Sequence, residues 1–281
     1  MIGFLRQALL IQIRKTARYK GVISLLSLCV VVPAVNAEPL RVMTVGDSIT
    51  AGFTAPQWSV PFGFGFRGGL YTRLEGAGRA VQFVGASGQP WNYSSGNFPV
   101  PPASLASGVR DLRKVDQDYH RGYAGKGIGF ISTQIADWIE LDDPDLILLM
   151  VGINSIGRGS VGKPTIQTDA LEKLIENIFL AKPSVTLIVA QITPYSTYSD
   201  PIVQYNRSIR KDLVPAFRAA GRRISTVDQY ANFLSDPDDL TSIDTAAFAL
   251  PSLNHPNEIG YSRMAQTWYE GIQTTLFKAG S

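Results

Sequence analysis

Cysteine is nearly absent from this 281-residue chain: Cys29 is the only one, and histidine occurs twice, at His120 and His255. A lone cysteine cannot close an intrachain disulfide, and two histidines without a nearby cysteine are a poor donor set for zinc. No metal and no organic cofactor is therefore expected. Charge is also sparse, with 17% of residues ionisable as Asp, Glu, Lys or Arg. No basic tract outside the first 37 residues points to nucleic acid as a partner. What the chain has is apolar residues, 45% of the total, enough to bury a full core in one domain.

Residues 1–37 read as a signal peptide and 38–281 as one domain. Arg6, Arg14, Lys15, Arg18 and Lys20 form a basic stretch, residues 21–32 an apolar one, and Val35-Asn36-Ala37 places small residues where a signal peptidase cuts. The apolar run is shorter than the roughly 20 residues of a comfortable membrane span. Leu28 before Cys29 is also too bulky for a lipoprotein signal. Cleavage after Ala37 would remove Cys29 and five basic residues, turning the net charge from +3 to −2. A secreted or periplasmic protein with no stable membrane insertion is expected.

Beyond residue 37, short apolar runs alternate with amphipathic segments, the pattern of an α/β domain with a parallel sheet. Strands are expected over 40–45, 81–85, 146–151, 187–191 and 224–227. Helical spacing falls near 66–75, 129–141, 165–181, 203–220 and 257–278, and Pro215 should kink or split the fourth. Residues 86–121 are rich in Gly and Pro without a clear period, and read as a lid or substrate-binding insertion.

The strand at 40–45 runs into Gly46-Asp47-Ser48-Ile49-Thr50. A buried strand ending in Gly-Asp-Ser stops at a tight turn and presents a hydroxyl at the strand's C-terminal edge, where open α/β sheets bind ligands. About two hundred residues later, His255-Pro256-Asn257 supplies an imidazole ahead of a helix. A serine and a distant histidine brought together by the fold suggest nucleophilic acyl transfer. Asp47, adjacent to Ser48, is poorly placed to orient that histidine and is expected to tie the turn together.

Two further elements lie between them: His120-Arg121-Gly122-Tyr123-Ala124-Gly125 and Gly152-Ile153-Asn154-Ser155. The four in this order resemble the SGNH hydrolases, also called GDSL esterases, over essentially the whole of 40–277. Gly65-Phe66-Arg67, Tyr205-Asn206 and Asn257-x-x-Gly260-Tyr261 agree with it. The resemblance implies a three-layer sandwich around a central five-stranded parallel sheet, a flavodoxin-like arrangement. It implies Ser48 as nucleophile and His255 as general base. The oxyanion hole would be built from the N–H groups of Ser48 and Gly125 and the side-chain amide of Asn154. His120 falls in the second element as a structural or substrate-contacting residue, with a solvated loop position the plainer reading.

The pattern fails at the acid. The family's usual Asp three residues before the histidine is Ser252 here. Ser252 or a backbone carbonyl could accept the Nδ1–H, Asp244 could reach in from the preceding segment, or nothing replaces the acid. Ser155 stands where many relatives carry Asp, which implies a lost structural hydrogen bond. Phe53, Trp58, Phe62, Phe64 and Phe66 cluster after the nucleophile, with Trp91 and Tyr93 in the insertion. Most should pack the base of the first long helix, while exposed rings could stack on sugars. The expected substrate is a small-molecule or polysaccharide acyl ester, with an acetyl group on a carbohydrate preferred. A lysophospholipid or thioester is the alternative, as is a catalytically impaired carbohydrate-binding relative.

Overall fold

The computed structural model describes residues 38–53, 64–86, 111–156, 164–250 and 254–277. All lie within the compact unit Ala37–Ser281. The first strand, β1 (Leu40–Gly46), is followed by a four-residue helix α1 (Ser48–Ala51), α2 (Phe66–Gly76) and β2 (Val81–Val84). The middle of the chain contributes β3 (Arg121–Gly122), α3 (Ile128–Asp142), β4 (Leu146–Met150), α4 (Ile153–Ile156), α5 (Pro164–Ala181) and β5 (Thr186–Gln191). Then come α6 (Asp200–Ser208), α7 (Val214–Ala219), β6 (Ile224–Asp228) and α8 (Glu258–Ile272).

Five strands pair in parallel in the order β2-β1-β4-β5-β6, and the two-residue β3 joins β1 at its C-terminal end. Every residue of β4 (LILLM) and β5 (TLIVAQ) is buried. Such strands are covered on both faces, which is why they read as unbroken apolar runs rather than as an alternation. Helices α2 and α8 pack together, as do α3 and α5, giving a layer on each face of the sheet. The three-layer α/β sandwich is thus present, with β3 added to the expected five strands.

Pro215 acts as expected. A π-helical turn over Ile209–Leu213 separates α6 from α7, and Pro215 sits at the start of α7. Proline lacks the N–H that the preceding turn would need, and the wider turn absorbs the missing bond. Residues 87–110 lie outside the described residues, but 111–121 are built into the sheet edge. The Gln117 side chain accepts from the Phe83 N–H (2.8 Å) and donates to the Val81 carbonyl (3.2 Å). One side chain thereby does what a neighbouring strand would do for β2, and blunts an exposed edge.

The strand order also locates the site. The chain leaves β1 towards β2 on one side, then returns to lay β4 on the other side of β1. Ligands in doubly wound sheets bind outside the carboxyl ends of the strands at such a switch point. Ser48 follows β1 and Asn154 follows β4.

Candidate active site

Three adjacent strands share one row of residues. Gly46 of β1 pairs with Gly122 of β3 on one side and Met150 of β4 on the other. Neighbouring strands are about 4.8 Å apart, so the loops leaving this row start side by side. Two residues beyond it comes Ser48, three beyond it Gly125, and four beyond it Asn154. Asn154 Nδ2 donates to the Lys126 carbonyl at 3.1 Å, tying the second loop directly to the third. That bond uses one amide hydrogen and leaves the other to act on a ligand. Gly125 has φ of +73°, a left-handed conformation costly for any residue with a Cβ.

Ser48 is the first residue of α1, whose N-cap is Asp47. The Ile49 N–H donates to Asp47 Oδ1 at 3.0 Å, and Gly52 closes the turn in the left-handed conformation. The turn is also gripped from below. Arg67 Nη1 donates to the Thr50 carbonyl (2.6 Å) and the Tyr261 hydroxyl to the Phe53 carbonyl (2.6 Å). Both side chains are buried, and desolvation lowers the Arg67 pKa to about 10, with attraction from Asp118 opposing it. Asp47 is buried as well. Burial pushes its carboxyl up to about 7, against the pull of the Ile49 N–H. Its part is the one expected of it, tying the turn.

His255 reaches Ser48 from outside the sheet. Its Nε2 lies 2.9 Å from Ser48 Oγ, across 207 residues of sequence. Both side chains are nearly sealed from solvent, at 3% and 2% exposure, so a proton exchanged between them moves in a dry setting. An isolated bridge between Phe248 and Pro256 and a bond from the Ala249 N–H to the His255 carbonyl (2.9 Å) hold its backbone. Asn257 then caps α8, accepting from the Ile259 and Gly260 N–H groups. Its amide donates back to the Ala246 and Phe248 carbonyls.

Several expectations are corrected here. His120 is fully buried and its Nδ1 accepts from the Gly122 N–H at 3.0 Å, so the structural reading of it holds and the solvated-loop alternative does not. Ser155 has not lost its structural hydrogen bond. Its Oγ accepts from the Ile128 N–H (3.2 Å) at the start of α3, where the N-cap Gly127 has no side chain to offer. Asp244 does not reach in. Its carboxylate accepts from the Ala246 N–H (3.1 Å) and Arg263 Nη1 (2.8 Å). Ser252 lies outside the described residues. Of the aromatic cluster, Phe53, Phe64 and Phe66 are buried, and Trp58, Phe62, Trp91 and Tyr93 lie outside the described residues.

Sequence reasoning missed how the Asn154 loop is supported. The Tyr205 hydroxyl donates to the Val151 carbonyl (2.9 Å), and Asn206 both accepts from the Ile192 N–H (2.7 Å) and donates to its carbonyl (2.8 Å). Among the described residues no set of three or more His, Cys, Asp or Glu side chains is placed to share a metal ion. No helix among them is long and apolar enough to cross a membrane.

Fold, row and Ser–His contact define an α/β protein equipped for acyl transfer, and comparison with known proteins gives the family. The chain belongs to the GDSL-like lipase/acylhydrolase family, whose model matches residues 44–263. A multidomain esterase of Ruminococcus flavefaciens is 26% identical over 277 residues, covering 90% of this chain and 31% of that protein. A protein of Acetivibrio thermocellus with the provisional name endoglucanase X is 29% identical over 140 residues, 50% of this chain and 55% of its own. The chain thus spans about half and about a third of the curated relatives it matches. Among solved structures, a family 3 carbohydrate esterase of Clostridium thermocellum superposes with a TM-score of 0.59 at 27% identity, covering 86% of this chain and all of that one. A family 3 carbohydrate esterase of Talaromyces cellulolyticus shares the fold, with a TM-score of 0.60 at 22% identity over 84% of this chain and 98% of that one.

Proposed function

We propose that this protein is a secreted carboxylic ester hydrolase that removes small acyl groups, acetyl above all, from carbohydrate or other small alcohols. The observation that carries the reading is the 2.9 Å contact between His255 Nε2 and Ser48 Oγ. Ser48 Oγ attacks the ester carbonyl while His255 takes its proton. The negative charge that develops on the carbonyl oxygen is met by the N–H groups of Ser48 and Gly125 and by the Asn154 amide. Collapse expels the alcohol, which takes the proton from His255. Water, deprotonated by the same imidazole, then releases the carboxylic acid and frees Ser48.

Two observations support the parts of this scheme. The donors leave neighbouring positions of one sheet row, so the hole is fixed before substrate arrives, the condition under which such donors lower a barrier most. The likeness to the Clostridium thermocellum carbohydrate esterase supports a carbohydrate ester as substrate, and residues 1–37 support secretion. With Asp244 committed to Arg263, Ser252 or a backbone carbonyl remains to hold the His255 ring. Neither carries the charge that would stabilise an imidazolium.

The test uses the chain without residues 1–37, a serine-directed fluorophosphonate, p-nitrophenyl acetate and an acetylated xylo-oligosaccharide. Labelling and acetate release that vanish in Ser48→Ala are expected. Absence of both in the unaltered protein would sink the esterase reading. Turnover of the aryl ester without any acetylated sugar would leave an esterase with a different alcohol.

A further inference from the structure

The Asn154 segment has four anchors, and two of them are tyrosine hydroxyls from the stretch that follows β5. Tyr205 holds the Val151 carbonyl (2.9 Å) and Tyr195 holds the Ile153 carbonyl (3.0 Å), the peptide unit directly before Asn154. The other two are Ser155 on the Ile128 N–H and Asn154 itself on the Lys126 carbonyl. Gly152 has φ of +144°, and a Cβ there would lie 2.7 Å from the Tyr205 ring, so ring and loop backbone are in direct contact. Tyr205 is fully buried, and burial together with the negative charge of Asp47 holds its hydroxyl well above the usual range, so it stays a donor.

These anchors are mechanically linked. Asn206, next to Tyr205 on α6, brackets Ile192 through both its N–H and its carbonyl, and Ile192 stands three residues before Tyr195. The corner between β5 and α6 is therefore locked to the helix that carries Tyr205. From that one locked corner two hydroxyls reach across to the carbonyls of residues 151 and 153. A segment needed only to connect β4 with the next helix does not require two such contacts on one short stretch.

Resting on the esterase reading, we propose that Tyr195 is a positioning residue for the oxyanion hole. Its hydroxyl fixes the Ile153–Asn154 peptide and thereby aims the free amide hydrogen of Asn154 at the substrate oxygen. Tyr195 does not touch substrate in this role. It acts through Asn154, and that makes the proposal sharply testable. A donor contributes to catalysis only where it meets the charge of the transition state, and a small displacement forfeits that contribution.

The experiment is a double-mutant cycle with Tyr195→Phe and Asn154→Ala, read as kcat and KM on p-nitrophenyl acetate. Tyr195→Phe alone is expected to lower kcat about tenfold and leave KM within about twofold. In the Asn154→Ala background the same change should have no further effect, because the group it aims is gone. Equal losses in both backgrounds, an unchanged kcat, or a loss confined to KM would each overturn the proposal. A second readout needs no turnover: the Asn154 side-chain amide signals in a ¹⁵N-correlated NMR spectrum should shift in Tyr195→Phe while those of Asn257 stay fixed. If the unaltered protein proves inactive, the esterase reading fails on its own, and unmoved Asn154 signals would still refute the positioning role.

Discussion

The two halves of the site are built by different means. Ser48, Gly125 and Asn154 leave one row of three hydrogen-bonded parallel strands, and their turns are pinned by Asp47, Arg67, Tyr261, Tyr205 and Tyr195. His255 comes from a corner outside the sheet, whose supports include the Phe248–Pro256 bridge, backbone bonds from the Ala249 and Asn257 N–H groups and the Asn257 cap. The side proposed to hold the oxyanion is therefore pinned at several points. The histidine side differs in one respect visible in the sequence: Ser252 stands at the position of the family's usual acid. A site built this way should draw more of its rate from charge stabilisation than from a strong base.

That difference inverts the usual ranking of mutational losses, and this is the largest effect to test. In a complete triad of known type, removing the histidine costs about 10⁶ in kcat, while removing the Asp costs about 10⁴. With the acid already gone, the remaining worth of the base is about 10². Loss of one oxyanion donor costs about 10² to 10³. We therefore expect Asn154→Ala to lower kcat by about 10² to 10³ and His255→Ala by only about 10². Steady-state kinetics of both variants decide it. A His255→Ala loss near 10⁶ would mean that another group already does the work of the acid.

Next in size is Ser252→Asp. A carboxylate three residues before His255 would hold its Nδ1–H and stabilise the imidazolium. At least a tenfold gain in kcat is expected, and the His255→Ala loss measured in the Ser252→Asp background should grow by the same factor. A gain without that coupling would place the effect elsewhere than on the ring. No gain at all would show that the corner already orients His255 by another group, and the contrast between the two halves would then lose its energetic meaning.

Most of the fold was open to inspection in the sequence. Its central strands β4 and β5 are buried on both faces, and runs such as Leu146–Met150 announce themselves without tertiary information. Ser48, Gly125, Asn154 and His255 are proposed from motifs that each sit at a strand end or before a helix, and the fold brings Ser48 and His255 into contact. What stayed hidden were contacts between residues distant in sequence whose partners are backbone atoms. Gln117 patching β2, Tyr195 and Tyr205 on the Asn154 loop, and Ser155 capping α3 leave no periodicity and no spacing signature. A backbone carbonyl is the same at every position, so only the fold reveals which side chain reaches it. Of the two readings of His120, the solvated one failed: its glycine-rich context looks open, yet Gly122 lets the chain pass against the Ala51 backbone and His120 is buried.

A smaller effect separates the halves by pH. Asp47 belongs to the nucleophile side, and burial raises its carboxyl from 3.8 to about 7. A carboxyl raised in the folded state contributes stability that is present in full below its unfolded pKa and is lost as pH rises through the folded value. Between about pH 4 and 7 the unfolded chain gives up this proton before the folded one does, so stability falls with rising pH. Over that window the loss amounts to about 4 kcal/mol as an upper bound. Asp47→Asn keeps the acceptor for the Ile49 N–H and removes the titration. Its melting temperature relative to the unaltered protein should rise from about pH 4 to about pH 7 and level off above that. A constant difference across that range would show that Asp47 titrates normally.

The smallest effect concerns Asp244, the carboxylate that the sequence offered as a stand-in for the missing acid. Asp244 is bound to Arg263 and to the Ala246 N–H, a contact that fixes the 3₁₀ turn at Thr245–Ala247 to α8. The pair is partly exposed, with the Arg263 and Asp244 side chains 40% and 21% accessible, so its worth is that of a surface ion pair plus a cap, about 1 kcal/mol. Asp244→Ala should therefore cost about that much stability in a denaturant titration and change kcat by less than about twofold. The two readouts keep the roles apart, because an orienting acid would lose far more rate than stability. A kcat loss of about 10² or more with the melting behaviour intact would mean that the Arg263 contact gives way during turnover and that Asp244 serves the ring after all.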